Sequence, residues 1–352
     1  DEKIVAAGAL RNLAFPSSEK DSISTQLQLQ IAKEGTIKLL VSILKEKSGT
    51  EPSMRRKTMK AASSLMKGML GGSSADSGSG ESSSASPIRK ALTVAEMHEQ
   101  ASGALVNLGA CAENRISIVE KGAIPQLVAR IKNAGSAAAA MSMISDITEE
   151  ETATSLRASI ESEMKADDTD LIATVTARTQ INCARALAVL CLNDSIKTKT
   201  AAAGAIPHLI RMLQISGSSG AEASARALRA LALNNEANQL EMMREGAIPP
   251  LVRMFEQQEA LEQEQERRLI EQREQQPLLL TTRESVVGCL RNLALHTECQ
   301  SVIARAGAIP PLLNTLSGAA NAKGASLKAK ESAAGALWSL TISEENRTLV
   351  LA

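Results

Sequence analysis

Asparagine and arginine recur at one position of a repeated pattern, and their chemistry suits them to hold another molecule. The pairs Arg11-Asn12, Val106-Asn107 and Arg291-Asn292 each stand directly ahead of a leucine. The matching positions elsewhere are Ala188-Val189, Arg229-Ala230 and Trp338-Ser339, with Arg185 and Arg226 one turn earlier in their own copies. An Asn amide carries both donors and an acceptor, so it can pair with the C=O and the N–H of an extended backbone whatever that backbone's side chains. Arginine pairs with carboxylates through charge-assisted hydrogen bonds. Such a set would bind acidic peptide. The alternative is a solvated helix face of Arg and Asn.

Little else in the chain could do chemistry. His98, His208 and His296 lie far apart, with neither metal-ligand nor triad spacing. No phosphate-binding glycine loop occurs, since Gly71-Gly72 and Gly78 with Gly80 belong to a low-complexity stretch. The five cysteines, Cys111, Cys183, Cys191, Cys289 and Cys299, form no C-x-x-C pair, and most occupy small-residue positions of helices. Packing explains them better than reactivity. The expectation is a non-enzyme with no catalytic residue, cofactor or metal.

Two sequence elements must position the Asn and Arg set. One is an Ala-rich helix, as in Ala101-Ser102-Gly103-Ala104-Leu105-Val106-Asn107-Leu108, with copies around Leu10, Leu187, Leu228, Leu290 and Leu337. Two leucines three apart after small residues give the apolar stripe of a closely packed helix. The other is a joint, clearest at Gly246-Ala247-Ile248-Pro249-Pro250-Leu251 and recurring at Gly122, Gly204 and Gly307, with a fainter copy at Gly35. Glycine supplies the left-handed conformation that closes one helix, and proline fits the first turn of the next.

The spacing between these elements tests the scheme. From the first leucine to the following joint glycine is 17 residues after Leu105, Leu187 and Leu290, 18 after Leu228, and 25 after Leu10. From each joint glycine to the next such leucine the distance runs 70, 65, 24, 44 and 30. Half of the unit is therefore fixed, and one loop absorbs nearly all length variation. The minimal unit, Gly204 to Gly246, is 42 residues, within the range of helical repeats that bury their apolar faces only against neighbours.

Short helix, Gly-Ala-Ile-Pro helix, then Ala-rich helix is an order that resembles the armadillo repeat, most of all its vacuolar-protein-8-like and plant subgroup. HEAT repeats are less similar, lacking the short first helix and the joint. The resemblance implies an all-α fold, a right-handed α-α superhelix, running as one continuous array over residues 1–352. It would comprise about five full repeats with partial repeats at both ends. It also implies that the third helix lines a concave groove for extended peptides, with Arg11, Asn12, Asn107, Arg185, Arg226, Arg229, Arg291, Asn292 and Trp338 facing that groove. Importin-alpha-like members carry tryptophan four residues before the groove asparagine. Here that position is Gly8, Gly103, Arg185, Arg226, Gly288 and Gly335, so basic localisation peptides are disfavoured and acidic or mixed protein partners of the catenin type are expected. The implied function is a protein–protein interaction scaffold or adaptor. Alternatives are the substrate-recognition part of an armadillo-containing U-box ubiquitin ligase, or a vacuolar-protein-8-like membrane-tethering adaptor.

Three inserts, about 45–90, 133–170 and 256–276, leave equivalent loops. The first opens with the basic stretch Arg55-Arg56-Lys57 and runs into Ser and Gly. Residues 54–69 could form an amphipathic cationic helix or a loosely ordered insert, and the Ser/Gly section is expected to be disordered. The second is acidic, with a helix expected over 155–165. The third is Glu/Gln-rich and reads as a solvated helical extension ending near Pro277. With 39 basic and 39 acidic residues, net charge zero and 1% aromatics, the chain lacks the basic field and the stacking platforms of nucleic-acid binders. Free thiols and the absence of an apolar run of membrane-spanning length point to the cytoplasm, with nuclear or peripheral-membrane association open.

Overall fold

A computed structural model describes residues 2–14, 22–45, 87–132, 166–215, 218–267, 276–317, 326–344 and 346–347. Among them the regular elements are all helices. They are α1 (Glu2–Leu13), α2 (Ser22–Ile31), α3 (Ile37–Lys45), α4 (Pro87–Gly109), α5 (Ala112–Glu120), α6 (Ala123–Lys132), α7 (Ala166–Leu190) and α8 (Asp194–Ala202). They continue as α9 (Ala205–Ile215), α10 (Ser218–Ala232), α11 (Glu236–Arg244), α12 (Ile248–Arg267), α13 (Gln276–Ala294), α14 (Thr297–Arg305), α15 (Ile309–Ser317) and α16 (Leu327–Leu340). A π-type turn, Ala32–Thr36, joins α2 to α3.

After α1 the helices fall into five triplets, α2-α3-α4 to α14-α15-α16, each ending on an Ala-rich helix. The chain divides into two compact units, 1–186 and 187–352, with the division inside α7. In the second unit like packs on like: α8 on α11 on α14, α9 on α12 on α15, and α10 on α13 on α16. In the first unit α1 packs on α4 and α3 on α6 in the same manner. Each unit is an all-α stack of repeats.

The joints behave as their residues require. Gly35, Gly122, Gly204, Gly246 and Gly307 all have positive φ, between 74° and 86°. A Cβ at Gly246 would have nothing within 4 Å, so the glycine answers a backbone demand and not a lack of room. The leucine pairs are core: Leu105 and Leu108, Leu187 and Leu190, Leu228 and Leu231, Leu290 and Leu293, and Leu337 and Leu340 are all buried. Each contributes about 1.5–3 kcal/mol relative to an exposed side chain. Alanines such as Ala104, Ala225, Ala227 and Ala336 are equally buried and let neighbouring long helices approach closely.

Polar side chains of the short helices close the long ones. The last carbonyls of a helix lack intrahelical donors. Asn114 Nδ2 reaches Leu108 O at 3.1 Å, Asn238 Nδ2 reaches Leu231 O at 2.9 Å, and Gln239 and Gln300 reach Ala232 O and Ala294 O at 2.8 and 3.1 Å. Lys197, also fully buried, donates to Leu233 O beyond the end of α10 and to Asp194.

Two inserts begin or end differently from the sequence expectation. Helix α4 starts at Pro87 and α7 at Ala166, a few residues inside the expected insert boundaries. The third insert does continue as helix, since α12 reaches Arg267, but Pro277 stands in the first turn of α13 and does not close α12. Proline is at home there because the first-turn N–H has no partner to lose. Residues 54–69 and 155–165 lie outside the described residues.

All five cysteines are buried free thiols. Burial pushes Cys183 and Cys289 from the ordinary 9.0 up to about 12 and Cys191 and Cys299 up to about 11. They are neutral packing groups at physiological pH.

Two outcomes follow from these arrangements. Gly246→Ala should lower unfolding free energy by about 1–2 kcal/mol without loss of helical signal, and urea melts check it. The thiols ionise near 9.0 when unfolded but stay protonated when folded, so their stabilising contribution is whole below that pH. It should be lost as pH rises toward 11–12, and Cys183→Ala/Cys289→Ala should flatten the slope of stability against pH in that window. The chain has no tyrosine to confuse that titration.

Candidate functional site

The site residues stand on the third helices of the triplets. In the first unit α1 and α4 lie side by side, and Arg11 of α1 reaches across to α4. Its Nη1 donates to Gln100 Oε1 at 3.3 Å and stands 3.8 Å from Glu99 Oε1. The arginine stem passes over Gly103, where a Cβ would stand only 2.7 Å from Arg11 Nε. In the second unit the arrangement recurs twice. Arg229 of α10 covers Gly288 of α13, its Nε 2.4 Å from the Cβ site, and Arg291 of α13 covers Gly335 of α16 at 2.8 Å. Glycine at these places makes room for an arginine from the preceding repeat.

The pattern of sequence positions is reciprocal. Where the preceding helix offers Arg11, Arg229 or Arg291, the following helix has Gly103, Gly288 or Gly335. Where it offers Val106 or Ala188, the following helix has Arg185 or Arg226. Each successive pair of third helices thus carries one arginine, supplied from one side or the other.

Four of these five arginines, all but Arg185, come with acid nearby. Arg226 Nη2 lies 2.7 Å from Glu222 Oε1 one turn before it, and Arg291 Nη1 lies 3.9 Å from Glu331 Oε1. Arg229 Nη1 donates to Glu284 O at 3.3 Å. Burial draws the Arg229 guanidinium below its ordinary range, with nearby Glu284 acting the other way. Sequence reasoning missed these glutamates. The signal was present, because Glu99, Glu222, Glu284 and Glu331 each stand four residues before the Gly or Arg of their helix.

The asparagines divide. Asn12 is exposed. Asn107 Nδ2 instead donates to Arg11 O at 2.8 Å, and Asn292, only 6% exposed, donates to Arg229 O at 3.0 Å. Both amides tie one long helix to the one before it, leaving a single amide face for anything outside. Trp338 is 68% exposed, while Ser339 beside it is buried and bonds back to Gly335 O. Arg185 is half-buried on α7.

Among the described residues, no group of three or more His, Cys, Asp or Glu could hold a metal ion. His98 is buried beside Arg130, with Nδ1 3.5 Å from Nη1. His296 caps α14, accepting from Glu298 N through Nδ1 and facing Glu236 Oε1 through Nε2 at 3.2 Å. No described helix is long and apolar enough to cross a membrane.

The reciprocal pattern predicts a tolerated swap. Gly288→Arg alone should destabilise by about 1 kcal/mol or more, because Arg229 must leave its place. Arg229→Ala combined with Gly288→Arg should recover most of that loss, since Glu284 stands one turn earlier as Glu222 does for Arg226. A double-mutant cycle by urea denaturation measures the coupling, and simple additivity would contradict it.

No family profile matches the chain, and no curated protein matches it. Among solved structures the chain is similar to an engineered protein at TM-score 0.49 and 16% identity, over 96% of this chain and 99% of that one. It is also similar to a designed armadillo repeat protein at TM-score 0.47 and 18% identity, over 95% and 99% of the two chains. A third is a designed armadillo repeat protein in complex with the peptide (KR)4, at TM-score 0.46 and 16% identity, over 95% and 98%. All three scores fall below 0.5.

Proposed function

We propose that the chain is a non-catalytic armadillo-type scaffold that binds extended segments of partner proteins along its third helices. The repeat order would run as one array through residues 1–352. One observation carries the reading: exposed or half-exposed Arg11, Arg229, Arg291 and Trp338 recur at one position of helices that stack on their like. Packed helices hold these groups in place beforehand, so the partner bears most of the ordering cost.

The chemistry narrows the partner. Asn12 has a free-standing amide for a peptide backbone, whereas Asn107 and Asn292 offer only the face not spent on Arg11 O and Arg229 O. Exposed ion pairs are weak, so a partner carboxylate can take Arg291 from the exposed Glu331 at small cost. Acidic or mixed protein segments therefore fit better than basic ones. Cytoplasmic or nuclear residence accords with five buried free thiols.

A labelled (Glu-Ser)6 peptide and its (Lys-Ser)6 counterpart provide the test by fluorescence anisotropy. The acidic peptide should bind more tightly. Arg291→Gln should weaken it about tenfold, the loss of one charge-assisted hydrogen bond, with Asn12→Ala and Trp338→Ala weakening it less. Unfolding midpoints of all three variants should stay near that of the unaltered chain. Equal binding of both peptides, or full affinity in every variant, would refute the reading.

A further inference from the structure

The second unit carries an apolar row that the scaffold reading does not use. Two residues beyond the second leucine of each long helix stand Leu192, Leu233, Leu295 and Ile342, with exposures of 58, 41, 51 and 60%. In the first unit the matching residue after α4 is Ala110. Isolated exposed leucines are ordinary on a protein surface, but a row at one repeat position is a patch. These residues sit in the turns between third and first helices, outside the core that the leucine pairs fill.

An acid follows each of them. Asp194 and Glu236 open α8 and α11, Glu298 lies in the first turn of α14, and Glu344 follows Ile342 by two residues. All four are exposed. Their place at helix N-termini is favourable in itself, and two have internal partners, Lys197 for Asp194 and His296 for Glu236. Even so, the Asp194 and Glu236 side chains remain 80 and 79% exposed. The strip is therefore aliphatic along its length and negative along one border.

We propose that this strip docks an amphipathic helix of a partner protein whose apolar stripe is bordered by lysine or arginine. Side-by-side helices stand about 8–10 Å apart, and two turns of an incoming helix advance about 11 Å. A continuous i, i+3, i+4, i+7 stripe can therefore meet successive strip residues. The negative border selects cationic flanks and disfavours an anionic lipid surface. The strip begins one turn beyond the arginine row, since Leu233 and Leu295 follow Arg229 and Arg291 by four residues.

A labelled helical peptide made only of leucine and lysine, patterned for one apolar stripe, is the probe, read by anisotropy at physiological salt. It should bind the full chain, whereas the same peptide with glutamate for lysine, or alanine for leucine, should bind at least tenfold more weakly. Leu233→Ser/Leu295→Ser should weaken binding at least tenfold. Glu236→Lys/Glu298→Lys should weaken the lysine peptide and strengthen the glutamate one. Circular dichroism of both variants should match the unaltered chain; the serine variant should also melt with it, whereas the lysine variant should melt slightly lower for loss of two helix N-terminal acids and the His296 pair. Undiminished binding by the serine variant, or no preference for lysine over glutamate, overturns the proposal. So does a dimer in sedimentation that the serine variant abolishes, which would give the strip to a second copy. Binding to anionic vesicles that the same variant abolishes would give it to a membrane, and likewise overturns it.

Discussion

The close approach of consecutive long helices constrains everything near them. Buried alanines bring α10, α13 and α16 together in the second unit, and α1 and α4 in the first. At such spacing each interface has room on its outer side for one arginine and not two. That is why Arg11 faces Gly103, Arg229 faces Gly288 and Arg291 faces Gly335. The regular row of guanidinium groups follows from this packing. Any peptide that uses the row uses a surface whose spacing the core has already set.

The glutamates temper the row's charge. With Glu222, Glu284 and Glu331 on the same helices, the arginine face of the second unit alternates in sign, and in the first unit Glu99 stands beside Arg11. Such alternation favours a partner by exchange of ion pairs, which gives selectivity and speed of encounter more than raw affinity. The apolar strip has a different character. Its leucines have no competing internal partner, and only its border is charged.

The elements were more legible in the sequence than the contacts. Joint glycines and leucine pairs could be located because each is demanded by local backbone or by helix period, and both signals survive without knowledge of neighbours. The stretch of 17 residues from Leu105 to Gly122 spans a helix end and a short helix, and only the copy after Leu10 lengthens it by more than one residue. By contrast, Asn107 and Asn292 read as outward-facing amides, and their bonds to Arg11 O and Arg229 O depend on helices 96 and 63 residues away in sequence. No local period encodes that. Lys197 was equally hidden, because a lysine in a polar helix such as α8 has the pattern of a solvated residue. Only the carbonyl of Leu233 explains its burial. The reciprocity of Arg and Gly could have been read by comparing one copy with the next, and not from any single copy.

That buried lysine bears on how the second unit comes apart. Asn238 and Gln239 tie a short helix back to the long helix before it, while Lys197 ties one forward, to the long helix of its own triplet. Loosening any one triplet would therefore strip donors from its neighbour or leave an ammonium group in an apolar setting. A triplet closed on itself by Lys197 and tied to the next by Asn238 and Gln239 opens as a block, so the segment between Asp194 and Gln239 should behave as a single cooperative unit although its sequence is written as parts.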